Sequence, residues 1–390
     1  MNLAPRGLAA GLPLLLMAAA SLAAPFKVTL LVPADDPRLE RARVERAAPG
    51  HPSGPSADAL KVALAEGQVE LDAAGSTLAL QVVEVTDPAT ARAAALAAEK
   101  AGAAALVTDL PAAWTLATAD AVKLPVLNAG HAADALRQAD CRRNLWHTAA
   151  SDRMKADALA QALAARRWVQ VLLLAGPTPE DATRSVSAQA AIKRYGLKLV
   201  ALKPFKLSAD PRERDLANPL LLTGPAVGAY DVVWVVDSDG EFAATLPYRI
   251  GLPRPVVGDG GLSAQAWNAR FERYGAPQVT RRLAKAAGRP MAAHDWSVWI
   301  AGKALVAAAV GAAKKPAEFA RLLAEADIDG SKGVGLSFRS WDGQLRQPLL
   351  LGDGAGVSAM APLDGMLHPK NALDTLGADA PEKLCKARTG

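Results

Sequence analysis

The sequence predicts an α/β fold with two lobes, each built on a parallel sheet flanked by helices. Strand-like runs alternate with helical runs along the chain, and this alternation starts again near residue 151. Strands that alternate with helices are typical of parallel sheets joined by right-handed crossovers. The chain also has 390 residues, of which 51% are hydrophobic, and this length exceeds what a single core usually requires. We therefore expect two Rossmann-like lobes.

The N-terminal residues have the three parts of a secretory signal. One charged residue, Arg6, precedes an apolar run at residues 8–20, and small residues lead up to Ala23. A membrane anchor needs about 20 apolar residues, whereas this run is shorter and contains Pro13. We predict a leader over residues 1–23 that is cleaved near Ala23, which leaves an exported, soluble protein in the periplasm.

The first lobe is predicted from the alternation that follows this leader. Its strands are short apolar runs, predicted at residues 26–32, 78–85, 103–107 and 125–128. Its helices are predicted at residues 56–66, 88–101 and 111–121. Pro88 suits the first turn of the second of these helices, because that position needs no N–H donor.

The second lobe is predicted from Ser151, a favourable N-cap that is followed by Asp152 at the positive end of the helix dipole. Helices are predicted at residues 151–165, 179–195 and 263–274, and a further helix, at about residues 292–312, follows them in the chain. Strands are predicted at residues 169–175, 197–202, 231–236 and 255–257. Three late runs, at residues 333–338, 347–351 and 356–361, are predicted to add short strands to these two sheets.

Composition and motifs argue against several classes of function. The net charge of +5, from 44 basic and 39 acidic residues, is too diffuse to indicate nucleic-acid binding. The sequence lacks metalloprotease, serine-hydrolase and nucleotide-binding motifs. Two acidic, glycine-containing turns, at residues 237–240 and 327–330, lack the twelfth ligand of a calcium loop. We therefore expect no enzymatic activity, catalytic residue, cofactor or metal ion.

The two cysteines, Cys141 and Cys385, are too few for a disulfide scaffold or a structural zinc site. In an oxidising compartment, two cysteines tend to pair. A disulfide would tie the C-terminal tail to the middle of the chain and restrict the unfolded state. We predict this disulfide, with two independent thiols as the alternative.

Several stretches together carry a family resemblance. Residues 145–152 lead into a helix and then into the apolar run at 168–174, and further matching stretches lie at residues 123–130, 295–299 and 333–338. With the leader and the two lobes, this arrangement resembles a type I periplasmic substrate-binding protein of an ABC transporter. The branched-chain amino-acid-binding group is the nearest broad relative. A narrower resemblance, at residues 141–148, 341–348 and 374–377, is to a subgroup associated with pyrroloquinoline-quinone-dependent alcohol oxidation.

The resemblance implies a three-segment hinge between the lobes. The first lobe would comprise residues 24–146 plus 291–332, and the second would comprise residues 147–290 plus 333–390. It implies a monomer that captures a small polar ligand by hinge closure and delivers it to an inner-membrane permease. Two alternatives stay open: a ligand-sensing or accessory protein without transport, and a periplasmic hydrolase that uses His131 and Asp259.

Candidate ligand-binding residues follow from the predicted sheets, because ligands of open parallel sheets bind beyond the carboxyl ends of the strands. In the first lobe they are Asp35, Asp36, Thr108, Asp109, Gly130 and His131. In the second lobe they are Thr178, Asp237, Ser238, Asp239 and Asp259. Trp296 is a further candidate as a cleft or hinge aromatic. Turn-forming acids and a core tryptophan are the structural alternatives.

Two stretches differ from the amino-acid-binding relatives. Residues 108–113 are not rich in hydroxyl groups, and Asp109 would repel a ligand carboxylate unless a cation lay between them. Residues 176–181 lack the aromatic side chain often present in those relatives. We therefore expect a locally acidic cleft, suited to a cationic, polyhydroxyl or metal ligand rather than to an amino acid.

Overall fold

The computed structural model of the chain describes Met1 and residues 24–388. Apart from Met1, the predicted leader lies outside the described residues. Among the described helices, none combines the length and the apolar character needed to cross a bilayer.

The first sheet has five parallel strands in the order β2-β1-β3-β4-β5. They are β1 (Ala24–Pro33), β2 (Ser76–Val85), β3 (Ala103–Thr108), β4 (Val126–Asn128) and β5 (Leu145–His147). β3 is almost wholly buried, as expected for a strand covered on both faces by helices. β5 is an addition to the predicted strands.

The second sheet has four parallel strands in the order β7-β6-β8-β9. They are β6 (Gln170–Ala175), β7 (Lys198–Pro204), β8 (Val232–Val236) and β9 (Val256–Gly258). β8 is entirely apolar and entirely buried. The prediction of two parallel sheets is confirmed, whereas the exact boundaries of the two lobes stay a prediction.

Twelve α-helices flank these sheets within the described residues. They are α1 (Arg41–Arg46), α2 (Ser56–Glu66), α3 (Gln68–Ala74), α4 (Pro88–Lys100), α5 (Ala112–Ala121), α6 (Asp152–Ala165), α7 (Pro179–Arg194), α8 (Pro219–Leu222), α9 (Glu241–Thr245), α10 (Ala276–Ala287), α11 (Ala293–Gly311) and α12 (Phe319–Ala324). α11 packs on α2, and Gly302 lets them approach closely, because a Cβ there would lie 2.5 Å from that of Ala63.

The predicted helix at residues 263–274 is wrong. Residues Ser263–Gln265 form strand β10, irregular chain follows, and the helix of this region is α10. Trp267 and Phe271 have the i, i+4 spacing of a helix face, but they instead pack edge to face in the core. Gly275, at φ 80°, starts α10 in a conformation that glycine favours.

The late strands also differ from the prediction, because they do not extend the parallel sheets. β13 (Leu349–Gly352) and β14 (Val357–Ala361) pair with β10 in a separate antiparallel sheet. β11 (Ile328–Asp329) and β12 (Gly335–Leu336) form a two-stranded ribbon. Short runs between glycine and proline residues can pair with each other as readily as with a sheet edge, and here they do so.

The C-terminal tail is fastened to the loop before β5. Cys141 and Cys385, the cysteines predicted to pair, form a disulfide with a Cα–Cα distance of 5.6 Å. Arg388 donates from Nη2 to the carbonyl oxygens of Arg143 and Leu145, at 2.9 and 2.7 Å. Its guanidinium also lies 4.0 Å above the Trp146 ring. The tail and the β5 connection therefore form one cross-linked unit.

Candidate functional site

Asp109 occupies the carboxyl end of β3, as predicted, and it is neutralised there. Arg38 Nη2 donates to one carboxylate oxygen at 2.9 Å, and His294 Nε2 lies 2.9 Å from the other. Arg38 also forms a salt bridge with Asp36 at 2.7 Å. Burial would raise the pKa of Asp109, but His294 and Arg38 outweigh it and hold that pKa well below its usual range. Arg38 thus places a cation directly beside Asp109.

A second charged cluster lies beyond the second sheet. Arg184 Nη2 donates to Asp259 at 2.6 Å, and the other Asp259 oxygen accepts the backbone N–H of Asp237 at 2.7 Å. Arg184 Nε lies 3.9 Å from Asp152, and Lys155 Nζ lies 3.8 Å from it. Arg38 is shared by Asp36 and Asp109, and Arg184 pairs with Asp259, so these acids are ion-paired and the cleft is less acidic than the sequence alone indicates.

Asp152 is the functional candidate that sequence reasoning missed. Its side chain is only 10% exposed, yet its carboxylate accepts no hydrogen bond from the part of the chain that the structure describes. It lines a cavity of about 40 Å³ together with Lys155, Arg184, Asp259 and Gln265. The sequence explained Asp152 completely as a helix-dipole residue, so nothing in it indicated a second role.

The remaining second-lobe candidates mainly hold the loops in place. Thr178 caps α7 and contacts the Ser238 hydroxyl at 2.9 Å. Asp181 accepts the Ser238 N–H at 2.6 Å. Asp237 accepts the Ala243 N–H at 2.9 Å, and burial raises its pKa. These contacts hold the loops at residues 176–181 and 237–240 in place, so the polar groups named here already have partners within the protein.

Residues 34–55, which we call the crossing segment, connect the two charged regions. Arg46 Nη1 donates to the backbone oxygen of Asp239 at 2.9 Å and to its carboxylate at 2.5 Å. Arg43 lies 3.3 Å from the same carboxylate. A side chain at Gly50 would meet Gln265, since a Cβ there would lie 2.5 Å from Gln265 Oε1. The segment therefore reaches from the end of β1 to the rim of the cavity.

His131 lies between these regions and is neutral. Its N–H donates to Asn128 Oδ1 at 3.0 Å, and its Nδ1 accepts the Ala133 N–H at 3.1 Å, so the ring proton is on Nε2. Burial lowers the pKa of His131 to about 4, with Arg137 and Lys155 lowering it further and Asp152 opposing them. A neutral imidazole can therefore offer one N–H to a ligand acceptor.

Gly130 and Thr108 have different positions at this edge of the first sheet. A Cβ at Gly130 would lie 2.2 Å from Asp109 Oδ1, so only glycine permits this close approach. Thr108 is fully buried, and its hydroxyl has no partner among the described residues.

Asp35 and Trp296 lie apart from the cavity. Asp35 is exposed and lines an open groove of about 630 Å³ with Glu84, Ser56 and Asp109. Trp296 is fully buried, donates to the Gly330 carbonyl at 3.1 Å and stacks on Trp267. α11 thus directs the Trp296 ring into the core, as in the structural alternative, and a ligand contact by Trp296 stays a prediction. Within the described ranges, no three acidic, histidine or cysteine side chains gather as a metal site would require.

The low pKa of His131 predicts an acid-sensitive fold. An unfolded histidine binds a proton near pH 6.5, whereas His131 does so near pH 4. The unfolded state therefore takes up the proton first, and stability falls as the pH drops from about 6.5 towards 4. In His131→Asn the free energy of unfolding should fall less over this window, as measured by denaturant titration. His368→Asn is the control, and an identical pH dependence in the wild type and His131→Asn would contradict the prediction.

Comparisons with known proteins give similarity at the level of structure. No family model matches the chain, and no curated protein matches it. A branched-chain amino-acid ABC transporter ligand-binding protein from Burkholderia xenovorans superposes with a TM-score of 0.70 at 13% identity, covering 90% of this chain and 96% of its own. A periplasmic binding protein from Burkholderia mallei superposes with a TM-score of 0.68 at 13% identity, covering 94% of this chain and 99% of its own.

The protein has the type I periplasmic binding protein fold. A solute-binding protein of an ABC transporter from R. palustris, solved with benzoate, is also similar, with a TM-score of 0.63 at 15% identity over 86% of this chain and 95% of its own. Such identities establish the fold alone. In this type I periplasmic binding protein fold, the two charged clusters lie at the carboxyl ends of the two parallel sheets, and the fold by itself does not define a function.

Proposed function

We propose that the protein is the solute-binding component of an ABC transporter and acts in the periplasm. It captures a small polar ligand between its two lobes by hinge closure, and an inner-membrane permease recognises the closed state. The observation that carries this proposal is Asp152, whose nine-tenths buried carboxylate lines the cavity, has Lys155 and Arg184 at ion-pair distances of 3.8 and 3.9 Å, and accepts no hydrogen bond from the described residues. A ligand donor can bind directly to this carboxylate between the two cations.

The surrounding groups define the chemistry of the ligand. Asp152 can accept an N–H or O–H, while His131 and Arg184 can donate to an oxygen atom. A ligand with both donors and acceptors, such as a small zwitterion or a hydroxy acid, therefore fits better than the metal or purely cationic ligand expected from the acids. Among the similar structures, one from Desulfitobacterium hafniense is a complex with Leu, and the R. palustris protein is a complex with benzoate.

The function is tested by ligand discovery followed by substitution. Small molecules released from the protein purified from its native periplasm are identified by mass spectrometry, and their affinities are measured by calorimetry. Asp152→Asn should weaken binding about 10–100-fold, because it removes a charged acceptor. Asp364→Asn, at an exposed site, should leave the affinity unchanged. If no molecule is released or bound, or if Asp152→Asn binds normally, the proposal is wrong.

Closure itself gives a second prediction, based on the Arg46–Asp239 ion pair. Arg46→Glu places two like charges in contact, so the average conformation should be more open and the radius of gyration larger in X-ray scattering. The double variant Arg46→Glu with Asp239→Arg should restore compaction by reversing both charges. Arg41→Glu is the control, because Arg41 is 91% exposed on the same helix and pairs only with Glu45 among the described residues. Equal scattering from all variants would contradict the prediction.

Two alternatives make different predictions. A sensing or accessory protein would bind ligand without stimulating a permease, so reconstituted transport separates it from the proposal. The hydrolase alternative needs Asp259 to orient His131. The two Asp259 oxygens instead accept from Arg184 and Asp237, and this arrangement favours binding over catalysis.

We also retain the link to pyrroloquinoline-quinone-dependent alcohol oxidation as a proposal. Parts of two of its three supporting stretches meet around Arg339 and Arg346, which both bond to Asp374 and lie near the Trp341 ring. None of these four residues lines the cavity at Asp152. Binding of an alcohol-derived acid or aldehyde in the calorimetric experiment would support the link, and its absence across such compounds would oppose it.

A further inference from the structure

The positive charge of the chain is concentrated in one place. Residues 267–290 contain six basic residues and one acidic residue, Glu272, and this difference equals the net charge of +5 of the whole chain. The surplus is therefore not diffuse, as the composition alone suggested. It coincides with α10 and the loop that precedes it.

The structure shows which of these cations are available. Arg289 is only 14% exposed and forms a salt bridge with Asp295 at 2.7 Å, so it is structural. Arg282 is 56% exposed and contacts Glu66 loosely at 3.4 Å. The others are exposed and have no acidic partner in the described part of the chain. We call the available set the basic face: Arg270, Arg273, Arg281, Arg282 and Lys285.

The basic face is held rigidly. Ala276, Val279 and Leu283 are buried on the opposite side of α10, which packs against α2. Trp267 donates to Thr280 Oγ1 at 3.2 Å, which ties the helix to the preceding loop. Tyr274 is 53% exposed beside the basic residues, and its ring contacts that of Phe271. Three of the five cations, Arg281, Arg282 and Lys285, are therefore displayed on a packed amphipathic helix, and Arg270 and Arg273 lie in the loop that precedes it.

We propose that the basic face docks on an anionic phospholipid surface. Clusters of basic residues on an amphipathic helix are attracted to acidic headgroups, and tyrosine favours the membrane–water boundary. A stable protein interface requires a buried apolar centre, whereas this face has five cations and one exposed aromatic ring. Charge complementarity thus favours a delocalised layer of phosphates over an acidic protein. None of the residues of the basic face lines the cavity at Asp152, so this inference goes beyond solute capture.

The test measures binding to vesicles by flotation. The exported protein should bind vesicles of equal parts phosphatidylglycerol and phosphatidylcholine at low salt, bind pure phosphatidylcholine far less, and dissociate as salt is raised. The double variant Arg281→Glu with Lys285→Glu should bind the anionic vesicles at least about ten-fold more weakly. Lys193→Glu with Lys198→Glu carries the same change in net charge on α7 and β7, where both side chains are exposed, and should bind like the wild type.

Several outcomes would overturn the proposal. The first is equal binding to anionic and neutral vesicles, and the second is an equal loss of vesicle binding in both double variants. The third is binding to immobilised polyglutamate without binding to vesicles, which would favour an acidic protein partner. The milder Arg281→Gln with Lys285→Gln tests the same surface if charge reversal disturbs folding. Calorimetry on the same variants uses the small molecule that mass spectrometry identifies in the native protein. This measurement keeps the two proposals separate, because we expect the affinity for that molecule to be unchanged when vesicle binding is lost.

Discussion

Replacing Cys141 and Cys385 by serine should lower the free energy of unfolding by about 2–5 kcal/mol. The disulfide joins residues 244 positions apart, so its loss releases a long loop in the unfolded chain and gives that state more conformational entropy. It would also weaken the contacts by which Arg388 binds the connection to β5. Denaturant titration of the wild type and of the double variant measures the difference.

Reduction supplies the control for this prediction. A reducing agent should destabilise the wild type by about the same amount as the double substitution, and it should leave the double variant unchanged. Each single serine variant should resemble the double variant, because either change removes the same bond. A wild type that keeps its stability under reduction would contradict the prediction.

Arg339→Met should lower the free energy of unfolding by about 3–5 kcal/mol. The Arg339 side chain is fully buried, and its Nε donates to Asp374 at 2.9 Å. Its Nη2 donates to the carbonyl oxygens of Leu373 and Leu376, at 2.9 and 2.7 Å. Methionine fills much of the space but donates to none of these oxygens. Arg346 still donates to Asp374, whereas the Leu373 and Leu376 carbonyls lose this donor, and unsatisfied buried acceptors are costly.

Two further variants serve as comparisons for the loss of stability in Arg339→Met. Arg339→Lys keeps the charge but lacks the planar fork of donors, so it should fall between the wild type and Arg339→Met. Arg321→Met removes an arginine that is 53% exposed and bonded to Glu318 and Glu325, and it should cost less than about 1 kcal/mol. If Arg339→Met and Arg321→Met are equally stable, the buried contacts of Arg339 contribute little.

The fold was predictable where periodicity and burial agree. The helix predicted at residues 56–66 matches α2, because most of its apolar residues are buried against α11 and the neighbouring elements. The prediction failed at residues 263–274, where Trp267 and Phe271 have helical spacing for another reason. Their rings fill space beside Trp296, and a contact between distant parts of the chain leaves no local signal.

The site was predictable only in part, since strand ends identify loops but not the partners of their side chains. Asp109 and Asp259 were expected at these ends, and both are there. Their neutralisation was not expected, because Arg184 is 75 positions away from Asp259 in the sequence. Asp152 was missed because its place at the start of α6 already explained it. Ion-pair partners and unmet hydrogen bonds are three-dimensional properties.

The crossing segment has a consequence for how such a protein can diversify. It supplies Arg38 to one charged region and Arg46 to the other, and it is a single uninterrupted stretch between β1 and α2. Exchanging this stretch would alter the charge beside Asp109 and beside Asp239 without changing a residue of either parallel sheet. Under the proposed function, a graft of this one segment should change solute recognition while leaving both parallel sheets in place.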